Sequence, residues 1–430
     1  MTKKSSALFA LAVVAAAPSL GLTVANAAEV KIDSELIVRF FEQELPGGDT
    51  KNGIPGYEYL QVDAGNLGSN GLSAHLYGWG RYDFGDFYDD ASEGEILYGY
   101  VQYRAKESNF DAKLGRQYVF EGVSDVSIDG LKVGSDLTGF FTVSAYAGKP
   151  VVLETVEGTT GDKVFGGRVS HHYGGYYDIG VSYKRVEDDG EKQEELVGVD
   201  SSITALGPLS IYGRSVRNQE EKEWQEHYYE ARLRLASLTL KPFYQKVMYD
   251  SFFDTGSRSS TPFTDPLGGI PAFDESGEEA RIAGLEILWD VTSKTGLGAK
   301  YKQYEYEVRD DGARYYAVTG SQRFSGLTQF GAEAGRMQGD ADEDQYSLGR
   351  IYGYYDQAPF FVSGEAVYAK YGEKIYGDLG DDRSIFVSLG GGTRLLSDSL
   401  ALKLSGEYSK DPNFDKDVRG QFTVDYAFSK

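Results

Sequence analysis

From Val30 to Phe428 the chain is built of stretches of about 8–14 residues in which apolar and polar positions alternate. In the last stretch Val418, Gly420, Phe422, Val424, Tyr426 and Phe428 are apolar or glycine, while Asp417, Arg419, Gln421, Thr423 and Asp425 lie between them. Successive side chains of a strand point to opposite faces, so this period of two gives one greasy face and one wet face. The first stretch repeats it, with Val30, Ile32, Leu36, Val38 and Phe40 against Lys31, Asp33, Glu35 and Arg39. The segment 72–84 does the same, with Leu72, Ala74, Leu76, Tyr82 and Phe84 opposed to Ser73, His75, Tyr77, Trp79 and Arg81. The pattern predicts about 22 strands, within a range of 16–22. It is weakest near 57–66, 127–133 and 345–355, where the parity slips.

Connectors between these strands alternate in length. Long ones include 42–56, 86–94, 119–126, 148–162, 187–192, 217–223, 250–279, 338–344, 371–383 and 410–416, and short ones include Gly174-Gly175, Leu206-Gly207 and Ser397-Asp398. This is the rhythm of an up-and-down barrel with short turns at one end and longer loops at the other. With both termini on the short-turn side, the strand number is even. The long connectors carry acidic clusters: Asp86, Asp89, Asp90 and Glu93; Glu187, Asp188 and Asp189; Asp340, Asp342, Glu343 and Asp344; Asp378, Asp381 and Asp382. Such clusters solvate loops, bridge through divalent cations to anionic lipopolysaccharide, or repel anions at a mouth.

Composition narrows the class. The 430 residues hold no cysteine, which excludes disulfides, thiolate zinc sites, iron–sulfur clusters and covalently attached haem. The 33 Tyr outnumber the 23 Phe and 3 Trp together, as interfacial aromatic girdles require. A formal charge of −23 argues against a nucleic-acid partner. Residues 1–27 read as a secretory signal peptide: Lys3 and Lys4, the apolar run Ala7 to Ala17, then Ala25-Asn26-Ala27 as a small-x-small cleavage site. Beyond it no run of about 18 apolar residues suggests a membrane helix. The domain reading is therefore a signal peptide, 1–27, followed by one β-barrel over 28–430.

A soluble sandwich of this length would break into domains joined by linkers, and none is legible. The greasy face carries Tyr, Gly and Ala beside Leu and Val, while the wet face carries bulky Arg, Glu and Gln. A closed barrel in lipid accounts for both, because closure pairs every backbone group and leaves no edge in hydrocarbon. The expected fold class is all-β: a transmembrane antiparallel up-and-down β-barrel of even strand number.

The chain resembles a Gram-negative outer-membrane porin over essentially all of 28–430. The local pieces are Leu114-Gly115-Arg116-Gln117 and Ile128-Asp129-Gly130-Leu131, with an alternating aromatic terminal strand that departs from the family by adding Ser429 and Lys430 after Phe428. The resemblance implies outer-membrane localisation and an aqueous channel for passive diffusion of small hydrophilic or ionic solutes. It implies as partners outer-membrane lipid, lipopolysaccharide, the barrel-assembly machinery and a homo-oligomer. Two alternatives remain at this stage. One is a sheath holding a multihaem cytochrome in an electron conduit; the other is a surface receptor or adhesin working through the acidic loops.

Parity places the pore-lining candidates Lys31, Arg39, Arg81, Arg104, Lys113, Arg168, Lys184, Glu226, Glu230, Arg232, Arg234, Lys403, Glu407, Arg419 and Asp425 on the wet face, where rings of charge set ion preference. Arg116 falls on the greasy parity and so predicts a strand end or a bulge. The connector 250–279 is unusually apolar for a loop, and its Phe252, Phe253, Asp254, Phe263, Asp265, Phe273 and Asp274 are candidates for an inward-folded constriction. No Gly-x-Ser-x-Gly, His-Glu-x-x-His or phosphate-loop motif is present, and no enzyme activity, cofactor or metal is expected. The adjacent His171 and His172 point to opposite faces of their strand and cannot hold one metal together.

Overall fold

The computed structural model describes residues 29–44, 50–68, 71–85, 87–105, 109–152, 161–248, 278–308, 310–325, 327–340, 345–372, 382–411 and 414–429. The signal peptide at 1–27, the constriction candidates within 250–279, and the acidic residues Asp86, Asp342, Glu343, Asp344, Asp378 and Asp381 lie outside them.

Among the described residues there is no helix and there are 23 strands. The first eight are β1 (Glu29–Glu44), β2 (Thr50–Gly53), β3 (Pro55–Gly65), β4 (Leu72–Asp83), β5 (Ser92–Arg104), β6 (Phe110–Glu121), β7 (Ser124–Leu137) and β8 (Phe141–Pro150). Then come β9 (Lys163–Tyr173), β10 (Tyr177–Asp188), β11 (Glu191–Leu206), β12 (Leu209–Asn218), β13 (Glu223–Leu235), β14 (Leu238–Met248), β15 (Glu279–Asp290) and β16 (Thr295–Tyr306). The last are β17 (Asp311–Ser325), β18 (Thr328–Gly339), β19 (Tyr346–Gln357), β20 (Phe360–Tyr371), β21 (Arg383–Leu395), β22 (Leu400–Asp411) and β23 (Phe414–Ser429). All belong to one sheet. Among the described residues β2 is a short extra strand paired with the end of β1, and the other 22 correspond one to one with the strands the alternation predicts.

Two compact units are distinguished, residues 1–99, 319–335 and 346–430 in one, 100–318 and 336–345 in the other. In the first, β19 to β23 pair in sequence order, and β23 then pairs antiparallel with β1, from Lys31↔Ser429 to Phe41↔Arg419. β1 continues the ladder to β3 and β3 to β4. In the second, β6 to β16 pair consecutively, each antiparallel to the next. Pairing of the first strand with the last makes the sheet closed, the all-β antiparallel barrel class the alternation implies.

The faces are inverted relative to a soluble protein. Along β10, Val181 is 54% exposed while Lys184 is fully buried. In β22 and β21, Leu404 and Leu389 are about two-thirds exposed, at 65% and 64%, whereas Glu226 and Gln225 on β13 are buried. Exposed aliphatic rows cost free energy in water and none in hydrocarbon, at about 25 cal/mol per Å² of apolar surface. The greasy face of the alternation is thus the outward one.

Two connectors expected to be long are tight turns. β10 and β11 are joined by Asp189-Gly190, both at positive φ (51° and 84°), the two-residue Asp-Gly hairpin turn, in place of a loop over 187–192. β6 and β7 are joined by Gly122-Val123, with Gly122 at φ +59°, in place of a loop over 119–126. In both cases ladder pairing runs on to the turn; at β10–β11 it does so through charged residues, which hide the strand from a hydrophobicity pattern.

Candidate functional site

The polar face is a lattice of ion pairs between neighbouring strands. On β9, Arg168 contacts Asp178 of β10 and reaches across that strand to Asp200 of β11, with Nη2 to Oδ1 at 2.6 Å and Nε to Oδ2 at 3.1 Å. Gly180 makes this possible: a Cβ there would overlap the guanidinium itself. Replacing Gly180 by Leu is therefore expected to evict Arg168 and leave two half-buried carboxylates facing each other, a loss of about 1–3 kcal/mol that urea melts would register.

The remaining wet-face candidates are placed as follows. Lys184 pairs with Glu194 at 2.7 Å. Glu226 accepts from Arg214 Nε at 2.8 Å, and Glu230 from the Tyr228 hydroxyl at 3.0 Å. Lys403 pairs with Asp425 at 2.5 Å, Lys31 with Asp33 at 2.5 Å, and Arg81 with Glu93 at 2.7 Å. Arg419 turns to Asp417, two residues along its own strand, at 2.5 Å, while its register partner Glu407 is exposed. Arg39 lies over the Tyr57 ring, 5.2 Å from its centroid, and Lys113 over Tyr100 at 5.0 Å. Arg104 stands 3.6 Å from Asp111, and Arg232 and Arg234 are exposed on β13. The candidates do not gather into one site; they line the sheet in small, largely neutral groups.

One element does leave the wall. Lys113 and Lys132 are register partners on β6 and β7, and the ladder runs on to Glu121↔Ser124. On a straight ladder Glu121 would stand eight residues beyond that row, roughly 27 Å away at ~3.4 Å per residue. Instead Glu121 forms an ion pair with Lys132 and accepts from Ser144 on β8. The end of the β6–β7 hairpin has folded back over the polar face.

The fold-back occurs at a row of glycines. Gly115, at φ +125°, is the register partner of Gly130, which is in turn the partner of Gly148 on β8. A Cβ at Gly130 would overlap the Ala147 carbonyl, and one at Gly148 the Asp129 carbonyl, so the three backbones approach as only glycine permits. Just past the row, Arg116 grips Asp129 bidentately, at 2.9 and 3.0 Å. The Arg116 parity anomaly is this bend.

Beyond the bend, residues 117–128 form a strap. Its underside buries Val119, Val126 and Ile128 against Tyr146, Val164 and Val186 of the wall. At the tip, Val123 packs with Leu196 and Val216 and its N–H donates to Ser182 Oγ at 3.0 Å. Ser124 Oγ and the Tyr146 hydroxyl are 2.7 Å apart. Lys184 and Glu194 belong to this same buried stretch of wall, Lys184 lying two residues from Val186 on β10. The upper side shows Tyr118 and Phe120, stacked 9° from parallel and both more than half exposed. Beside the tip a cavity of about 270 Å³ is lined by Phe120, Glu121, Arg168, Asp200, Tyr212 and Arg214 among others.

The constriction candidates of 250–279, Phe252, Phe253, Asp254, Phe263, Asp265, Phe273 and Asp274, lie outside the described residues. The strap was missed because 119–126 reads as a loop. Its signals were the Arg116 anomaly and the parity slip at 127–133, which straddles Gly130.

No family model matches the chain, and no curated protein matches it. Among solved structures it is similar to a BenF-like porin from Pseudomonas fluorescens Pf-5, at 9% identity and TM-score 0.45, covering 94% of this chain and 98% of that one. It is similar also to OccK5 (OpdH) of Pseudomonas aeruginosa, at 9% identity and TM-score 0.44, over 95% and 99% of the two chains. OccAB4 of Acinetobacter baumannii stands at 10% and 0.45, over 94% and 99%.

Proposed function

We propose that the chain is an outer-membrane porin, a passive aqueous channel for small hydrophilic or ionic solutes, exported by residues 1–27. The observation that carries this is the inversion of faces on a closed sheet: aliphatic rows outward, ion-paired Lys, Arg, Asp and Glu inward. A polar inner face suits a lumen that water and solutes enter. The strap supports a channel over a cytochrome sheath, since it already occupies part of the face that a protein guest would line. Near-neutral pairing along the wall favours weak ion selectivity, with preference set where the strap narrows the path. Lipid, lipopolysaccharide and the barrel-assembly machinery are the partners this reading implies.

The test is planar-bilayer recording with the purified mature chain alone. Discrete open steps are expected, with a cation-to-anion permeability ratio close to unity in a salt gradient. A silent chain that conducts nothing and co-purifies with a haem protein overturns the channel in favour of the sheath.

A further inference from the structure

On β4, Ser73 and His75 are two residues apart and so share the polar face, with Leu76 exposed on the other. Asp63 on β3 is the register partner of His75. His75 Nδ1 stands 2.6 Å from Asp63 Oδ1, and His75 Nε2 stands 2.9 Å from Ser73 Oγ. The second carboxylate oxygen, Asp63 Oδ2, accepts from Gln61 Nε2 at 2.7 Å. An ionised carboxylate only accepts, so the neutral imidazole keeps its proton on Nδ1 and donates it to Asp63. The Nε2 lone pair is then directed at the Ser73 hydroxyl. Nucleophile, base and orienting acid are joined in the order that acyl transfer requires. The His75 and Asp63 side chains are 22% and 23% exposed, which leaves the trio open to a small molecule on the polar face.

We propose that Ser73 is an activated nucleophile, with His75 as its general base and Asp63, held by Gln61, as a positioning residue, and that it takes acyl groups from small carboxylic esters. Ser73 Oγ attacks the ester carbonyl carbon while its proton passes to His75 Nε2. The carbon–oxygen bond to the alcohol breaks, and that proton leaves with the alkoxide as the free alcohol. Water, deprotonated by the same nitrogen, then releases the acid and restores Ser73. A strand supplies nucleophile and base at i and i+2, and its neighbour the acid, so no motif of consecutive residues announces the site. Entry of the ester rests on the channel reading; the hydrogen-bonded trio itself does not.

The experiment treats the folded mature chain in detergent micelles with diisopropyl fluorophosphate and maps the adduct by peptide mass. One adduct is expected, on Ser73. His75→Gln is expected to slow labelling by about 10²–10⁴-fold, the usual worth of a general base. Asp63→Asn is expected to slow it as well, because the carboxylate charge that stabilises the imidazolium is lost, and Asp63→Glu to restore part of the rate. Ser73→Ala takes no label. Absence of an adduct on Ser73, or labelling of Ser73 at the parent rate in His75→Gln, overturns the proposal. Conductance is read on the same preparation, so a conducting but unlabelled barrel sinks the nucleophile alone, and a labelled but silent one sinks the channel alone.

Discussion

Excising residues 117–128 and closing Arg116 to Asp129 through an Asn-Gly turn is expected to raise single-channel conductance by about twofold or more, since current follows the open cross-section of the barrel. Arg116 and Asp129 are register partners, so the shortened hairpin closes without disturbing the wall. The strap is held down chiefly by Val119, Val123, Val126 and Ile128, each burying side chain worth about 1.5–3 kcal/mol. It is therefore a fixed element in the parent, and its removal is expected to change a steady conductance level rather than a flicker. Conductance unchanged by the excision would mean that the strap lies beside the ion path and not across it.

Lys184→Met is expected to cost about 3–5 kcal/mol, because it leaves the nearly fully buried Glu194 carboxylate without its counter-charge. The pair shares its stretch of wall with Tyr146, Val164 and Val186, so the strap's seat should loosen too and the current become noisier. Adding Glu194→Leu to Lys184→Met should recover most of the stability, since a buried pair replaced by apolar groups of similar volume is close to neutral. The check is a double-mutant cycle of urea unfolding in micelles. A single substitution as mild as the double one would show that water reaches Glu194 beneath the strap. An exposed pair such as Lys31–Asp33 should give far less in the same cycle, since solvent already screens it.

The alternation in segments such as 72–84 and 417–428 determined β4 and β23, the inverted faces and the closed antiparallel class, because a period of two is a property of each strand by itself. The tight turn at Asp189-Gly190 was legible too, as an Asp-Gly pair between alternating segments, but the charged run around it reads more readily as a loop. What no local pattern holds is which residues of different strands stand side by side. Gly115, Gly130 and Gly148 are unremarkable singly and become a hinge only when register lays them in one row. Arg168 meets Asp178 and Asp200, and Asp63 meets His75, only through pairing of strands that brings together residues 10 to 32 apart in the chain. Periodicity is written in the covalent chain, whereas cross-strand register is settled by closing the sheet and packing the strap against it. The sequence by itself determined the wall; the tertiary structure alone decided what crosses it and which polar groups meet on its inner face.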